Sequence, residues 1–272
     1  MRKRFDDLGG ATLEITESGS GDPLLFLHGE DGLEFCRSFI EGLSDHFSVV
    51  APHHPGWGSS VRPRYVTTVR DISDVYDEFL ENMQGRVLVV GVSLGAWIAA
   101  ELMCRRRESV VGLVLISPIG IKVGNREQRD FEDIYVEGVS RLASQPSLPE
   151  AKGRGPSLSD AELLHLAMAE ESVARFCWEP YMHDPKLRYR LRRIKVPTTV
   201  ISGSEDRFVL NDTYFDQFAS LIGSHAQSQV IDGVGHKIDE EAPEALVKRI
   251  AEFNAVLVGA RETEDLRIEQ AQ

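Results

Sequence analysis

Apolar residues in this chain come in short, nearly unbroken blocks: LLFLH at 24–28, FSVVA at 47–51, VLVVGV at 87–92, VVGLVLI at 110–116, PTTVIS at 197–202 and QSQVI at 227–231. Most blocks are β-branched and bounded by Gly, Pro or Asp, the pattern of strands buried on both faces of a parallel sheet. Between them, apolar positions recur at helical spacing over 34–44, 70–84, 94–107, 212–222 and 240–257. Strand and helix in alternation predict right-handed crossovers and an α/β fold built on a mostly parallel, doubly wound sheet.

The alternation breaks over 122–192, which holds no convincing strand and two amphipathic helical segments, 126–144 and 159–176. The second opens on Ser159-Asp-Ala-Glu162, a capping box in which serine and glutamate satisfy the first free N–H groups of the helix. A loop with Pro146, Pro149, Gly153, Gly155 and Pro156 separates the two. The division predicted is a sheet core in two parts, 1–121 and 193–258, a helical insertion at 122–192, and a polar tail, 259–272, that frays.

Composition narrows the class. The 272 residues, 42% hydrophobic and 27% charged, suit one soluble globular domain. With 43 acidic and 30 basic residues the net charge is −13, which argues against binding nucleic acid phosphates. Cys36, Cys104 and Cys177 are widely spaced and read as thiols in a reducing compartment. The opening Met-Arg-Lys-Arg turns to Phe-Asp-Asp-Leu-Gly-Gly, not to an apolar stretch, so no signal peptide is expected. No apolar run approaches the ~20 residues that span a bilayer. The expected location is cytoplasmic, with no membrane partner. No HExxH or paired His/Cys spacing marks a metal site and no GxGxxG opens the first helix, so no metal or organic cofactor is expected.

The sharpest chemical signal is VLVVGVSLGAWIAAELM, 87–103, where Gly91-Val92-Ser93-Leu94-Gly95 joins an apolar strand to an alanine-rich helix. A serine on such a tight turn needs small neighbours, and the helix N-terminus behind it favours developing negative charge. In LLFLHGE, a strand ending in His28-Gly29 brings the next loop beside this turn, where the backbone N–H of Glu30 joins that of Leu94 as an oxyanion hole. A carboxylate beside a developing oxyanion would repel it, so the Glu30 side chain is expected to point away. His28 reads as structural.

A base is needed, and His236 follows the small, flexible Asp232-Gly-Val-Gly between a strand and the last helix. His53 and His54 precede Pro55-Gly56-Trp57-Gly58 and shape that loop, while His46, His165, His183 and His225 lie in helical or surface contexts. His236 gains its weight from the chain order serine, acid, histidine. The acid is expected after the strand at 197–202, where Asp206 is the favourite and Glu205 the near alternative. Asp232 and Asp239 read as a turn residue and a helix-start residue.

LHGE, HHPGWGSS, GVSLGAW, SGSEDRFV and GVGHKIDEEAP stand in one order along 11–258, and together they resemble the α/β-hydrolase superfamily. The resemblance implies a triad of Ser93, Asp206 and His236, and makes 122–192 a helical cap whose lining selects the substrate. Epoxide hydrolases and haloalkane dehalogenases of this fold are similar around HGE and PGWG but carry aspartate at the elbow. Serine there suits esters, thioesters, amides or activated ketones. A carboxylic-ester hydrolase acting on a small or medium apolar ester is the first reading. The second is a carbon–carbon bond hydrolase acting on a vinylogous diketone. That group usually carries a glycine-rich run after HG and often Trp after the histidine, where this chain has Glu30-Asp31-Gly32 and Lys237. The third is a ligand receptor of the same fold with slow turnover. Arg188, Arg190, Arg192 and Arg193 read as a solvated basic helix face, with a carboxylate-binding role as the alternative.

Overall fold

The computed structural model describes residues 1–8, 10–105, 108–125, 127–134 and 159–269. Strands β1 (Arg2–Leu8) and β2 (Ala11–Ser18) form an antiparallel hairpin. The six apolar blocks form β3 (Asp22–Leu27), β4 (Phe47–Pro52), β5 (Val87–Val92), β6 (Val110–Ile116), β7 (Thr198–Gly203) and β8 (Ala226–Ile231). The order across the sheet is β1-β2-β4-β3-β5-β6-β7-β8, with β3 to β8 parallel and β2 antiparallel to β4. The apolar blocks predict neither β2, where Thr12, Glu14 and Thr16 interrupt the apolar positions, nor β1. It is an edge strand with mostly exposed side chains, so no buried face imposes alternation, and its charges protect the open edge.

Helices α1 (Arg37–Ser44), α2 (Val69–Asn82), α3 (Leu94–Met103), α4 (Asp160–Cys177), α5 (Leu187–Arg190), α6 (Tyr214–Ile222), α7 (Ile238–Glu241) and α8 (Pro243–Glu269) fill the connections. Successive strand residues face opposite sides. Leu25, Leu27 and Val89 join the core under α2, α3 and α6, while Leu24, Phe26 and Val90 join the core under α1 and α8. Because β3 lies between β4 and β5, the chain reverses its direction of winding there, and the crevice between their carboxyl ends is where such sheets place a site.

Helix α4 starts on the predicted capping box: Glu162 N–H donates to Ser159 Oγ at 3.3 Å and Ser159 N–H to Glu162 Oε2 at 2.8 Å. Its buried face rests on the loop after β4. Phe176 stacks on Trp57 with ring centroids 5.9 Å apart, and Ser172 Oγ donates to the Gly56 carbonyl at 2.8 Å. Of the helix predicted at 126–144, residues 126 and 135–144 lie outside the described residues, as does the Pro/Gly loop that follows. The part described, 127–134, is not helical. There the Asp130 carboxylate accepts from the N–H groups of Val123 and Gly124 at 2.9 and 2.8 Å, and Phe131 bridges to Val209. The tail predicted to fray from 259 instead continues α8 to Glu269. Each residue added to a formed helix costs little, and Arg, Glu and Leu are good helix formers. Among the described residues no helix is long and apolar enough to cross a membrane.

The arginine group divides. Arg192 and Arg193 are exposed. Arg190 is structural: its Nε donates to Glu101 Oε2 at 3.1 Å, and its Nη2 bonds Glu101 and, at 2.6 Å, Asp184. Glu101 lies on α3, every residue of which is buried. Arg190→Ala should therefore strand a buried charge and destabilise the fold by about 3 kcal/mol, whereas exposed Arg192→Ala should stay within about 0.5 kcal/mol. Urea unfolding checks both, and equal midpoints for the two variants would contradict the pairing.

Candidate active site

Ser93 sits between β5 and α3 with φ 46° and ψ −107°, outside the regions side chains favour. The turn is this tight because its neighbours lack side chains. A Cβ on Gly91 would lie 2.4 Å from the Gly95 carbonyl oxygen, and one on Gly95 would lie 2.1 Å from that of Leu27. The first turn of α3 thus lies against the end of β3. Ser93 N–H is tied back to the sheet by the Ile116 carbonyl at 2.8 Å.

The loop after β3 is held by buried histidines. His54 N–H donates to His28 Nε2 at 3.0 Å, so His28 carries its proton on Nδ1 and donates to the Gly29 carbonyl at 2.7 Å. His54 in turn donates from Nε2 to the His28 carbonyl at 2.9 Å and accepts from Tyr76 Oη at 2.6 Å. Burial pushes both rings down, His28 well below the ordinary range and His54 to about 3, so both are neutral struts. Trp57 Nε1 donates to the Glu30 carbonyl at 2.8 Å and fixes that peptide. The amides expected to act as oxyanion donors, Glu30 and Leu94, therefore belong to two segments that meet at Ser93.

Of the eight histidines in the chain, His236 is the one that reaches Ser93. Its Nε2 lies 2.8 Å from Ser93 Oγ and its Nδ1 2.7 Å from Asp206 Oδ2. Asp206 Oδ1 accepts from Phe208 and Val209 N–H at 2.9 and 3.0 Å, which aims the other oxygen at the ring. Glu205 is exposed. Burial lowers the proton affinity of His236, but Asp206, then Glu30 and Asp239, outweigh it and hold the imidazole above its ordinary range. The Phe208 ring packs edge-on against the imidazole with centroids 4.7 Å apart.

Glu30 departs from expectation. Its carboxylate does not turn away from the serine: Oε1 accepts a hydrogen bond from Ser93 Oγ at 2.6 Å. The peptide at Glu30 is fixed by Trp57, and the nearby Lys237 is already taken by Asp31 and, at 3.4 Å, by Glu240. The serine hydroxyl remains as donor. The buried Asp239 extends the acidic surroundings; its Oδ2 accepts from Cys36 Sγ at 3.3 Å, and burial raises its proton affinity. Spacing in the sequence does not signal these contacts, since they depend on side-chain direction in a loop. A narrow cavity of about 30 Å³ opens on this cluster, lined by Glu30, Asp31, Ile134, Met182, Phe208, His236 and Lys237. A larger one of about 310 Å³, lined by Lys122, Arg129, Phe131, Trp178, Tyr181 and His183 among others, touches neither Ser93 nor His236.

Residues 24–249 match the model of the alpha/beta hydrolase family. A 2-hydroxy-6-oxo-6-(2'-aminophenyl)hexa-2,4-dienoic acid hydrolase from Metapseudomonas resinovorans is 26% identical over 269 residues, covering 92% of this chain and 90% of its own. Haloalkane dehalogenase 2 from Mycobacterium bovis is 24% identical over 279 residues, covering 93% and 94%. A thermophilic esterase from Thermogutta terrifontis superposes with a TM-score of 0.73 at 20% identity, covering 94% of this chain and 99% of that one, a likeness of fold.

The geometry predicts which acid sets the histidine. Asp206→Asn removes the charge that holds the imidazole up, so His236 should lose its proton at a lower pH than in the wild type. Glu205→Gln should leave that titration in place. Histidine nitrogen NMR across pH reads both; a shift confined to Glu205→Gln would reassign the acid by one residue.

Proposed function

This chain belongs to the alpha/beta hydrolase family, and we propose that it is a serine hydrolase cleaving a carboxylic ester or related acyl compound through an acyl-enzyme on Ser93. The observation that carries the proposal is the unbroken chain of hydrogen bonds from Ser93 Oγ to His236 Nε2 and from Nδ1 to Asp206. Ser93 attacks the acyl carbon while His236 takes its proton, and Asp206 stabilises the imidazolium that forms. The backbone N–H groups of Glu30 and Leu94 receive the oxyanion, each such donor being worth about 10²–10³ in rate. Collapse of the tetrahedral intermediate expels the leaving group, which takes the proton from His236. Water, activated by the same imidazole, then releases the acid. Residues 122–192 act as the cap, and α4 resting on the Trp57 loop supports that role.

A second reading, a carbon–carbon bond hydrolase acting on a vinylogous diketone, is favoured by the likeness to the dienoic acid hydrolase over 92% of this chain. The charges around Ser93 weigh against an acidic substrate. Among the described residues, Lys237 is the only lysine or arginine lining the cavities that reach His236 and Ser93, and Asp31 and Glu240 pair with it. Glu30 and Asp239 add carboxylates within the same cluster. A neutral acyl compound enters such a site at lower electrostatic cost than a carboxylate does.

Steady-state assays test the assignment with p-nitrophenyl esters of increasing acyl length beside a ring-cleavage dienoate. Steady ester turnover that falls by about 10³ or more in Ser93→Ala and His236→Ala is expected, because the two act as a unit. A kcat/KM for the dienoate far above that for every ester would favour the second reading. A single burst with no turnover would favour a ligand receptor.

A further inference from the structure

Ser93 has one hydroxyl hydrogen and two acceptors in reach, Glu30 Oε1 at 2.6 Å and His236 Nε2 at 2.8 Å. Only one can hold it. A hydroxyl bound to a carboxylate makes the shorter, charge-assisted bond, and the shorter contact here is the one to Glu30. With the hydrogen on the Glu30 side, Ser93 Oγ offers His236 only lone pairs. The 2.8 Å contact is then a hydrogen bond only if Nε2 brings its own proton. In that arrangement His236 is an imidazolium donating to Asp206 and to Ser93, and it has no room for the serine proton.

We propose that Glu30 acts on the nucleophile as a proton competitor: its carboxylate withholds the Ser93 hydroxyl hydrogen from His236 in the free protein. Attack then proceeds only from the form that has lost one proton, in which the hydrogen swings to a neutral Nε2. The inference rests on the reading of Ser93 as nucleophile.

The surroundings favour the withheld form. Carboxylates face the His236 ring from three elements: Asp206 from the loop after β7, Glu30 from the loop after β3, and Asp239 from α7. The fourth neighbour, Phe208, is uncharged. The cation next in the chain, Lys237, is neutralised by Asp31 and Glu240. Burial acts in the opposite sense but is outweighed, and His236 keeps its second proton above the ordinary histidine range. Glu30 is thereby part of what sets the acid limb of the reaction, in addition to lending its backbone N–H.

The test uses an uncharged fluorophosphonate ester, which needs no knowledge of the substrate. Ser93 Oγ bonds to phosphorus, the P–F bond breaks and fluoride leaves, while the serine proton passes to His236 Nε2 and on to solvent. Labelling rates of the wild type and of Glu30→Gln are read across pH by intact-protein mass spectrometry, with peptide mapping to locate the adduct. Circular dichroism and melting confirm that the variant is folded. In Glu30→Gln the midpoint of the pH–rate curve should fall by about one pH unit or more, so that well below it the variant labels about tenfold faster than the wild type. Equal midpoints would overturn the proposal, and so would a variant slower at every pH, because Glu30 would then assist the attack. No adduct on Ser93 in the wild type would overturn the nucleophile assignment first, and this inference with it. If Glu30→Gln does not fold, nitrogen NMR of wild-type His236 decides: both ring nitrogens should stay protonated past the ordinary midpoint of about 6.5, and an earlier loss would contradict the proposal.

Discussion

The backbone at Ser93 is held at φ 46°, and the rest of the site follows from how that angle is maintained. Non-glycine residues in such regions carry strain of about 1–3 kcal/mol, which persists only where surrounding structure imposes it. Here β5 is buried on both faces, α3 is buried all round, and Gly91 and Gly95 let the two fold back on each other and onto β3. That close approach brings the loop after β3 to the serine. It also places Ser93 at the point where the winding of the sheet reverses, with the loops after β7 and β8 within reach of the same crevice.

What those loops deliver is mostly charge. Asp206, Glu30 and Asp239 surround one imidazole, and the cation beside them is spoken for by two further carboxylates. Such a cluster persists in a buried site because each member has a partner: backbone N–H groups for Asp206, the serine hydroxyl for Glu30, the Cys36 thiol for Asp239. His28 and His54, close to the same serine loop, are kept neutral by the same burial because no carboxylate opposes it. One residue type thus stays neutral or holds its second proton according to the charges it meets.

Most of the architecture was legible in the sequence because its signals are local. The six parallel strands β3 to β8 are short runs with breakers at both ends, mostly apolar except at the edge strand β8, and GVSLG between a strand and a helix permits few other conformations. The capping box before α4 was legible for the same reason. Readings failed where local pattern carries no information. Strand β1 has no buried face to impose alternation. The segment after Val258 looks like a loose tail until a formed helix is there to extend. Arg190 reads as a surface charge because its partner Glu101, 89 residues away, lies on an apolar helix. Spacing cannot say which of Asp206 and Glu205 faces His236; the backbone turn at Phe208 and Val209 does, by taking one oxygen of Asp206 and aiming the other. The direction of the Glu30 side chain departs furthest from the sequence expectation. Repulsion from an oxyanion argues that it should turn away, yet in the free protein there is no oxyanion, and the hydroxyl is the donor at hand.

The proposed mechanism requires a covalent acyl group on Ser93. Rapid mixing with a p-nitrophenyl ester, acid quenching within the burst, and peptide mapping by mass spectrometry test it most directly. An acyl group is expected on the peptide containing Gly91-Val92-Ser93-Leu94-Gly95, attached to Ser93 and disappearing as the substrate is exhausted. Steady turnover with that peptide unmodified, or with the acyl group on another residue, would contradict it.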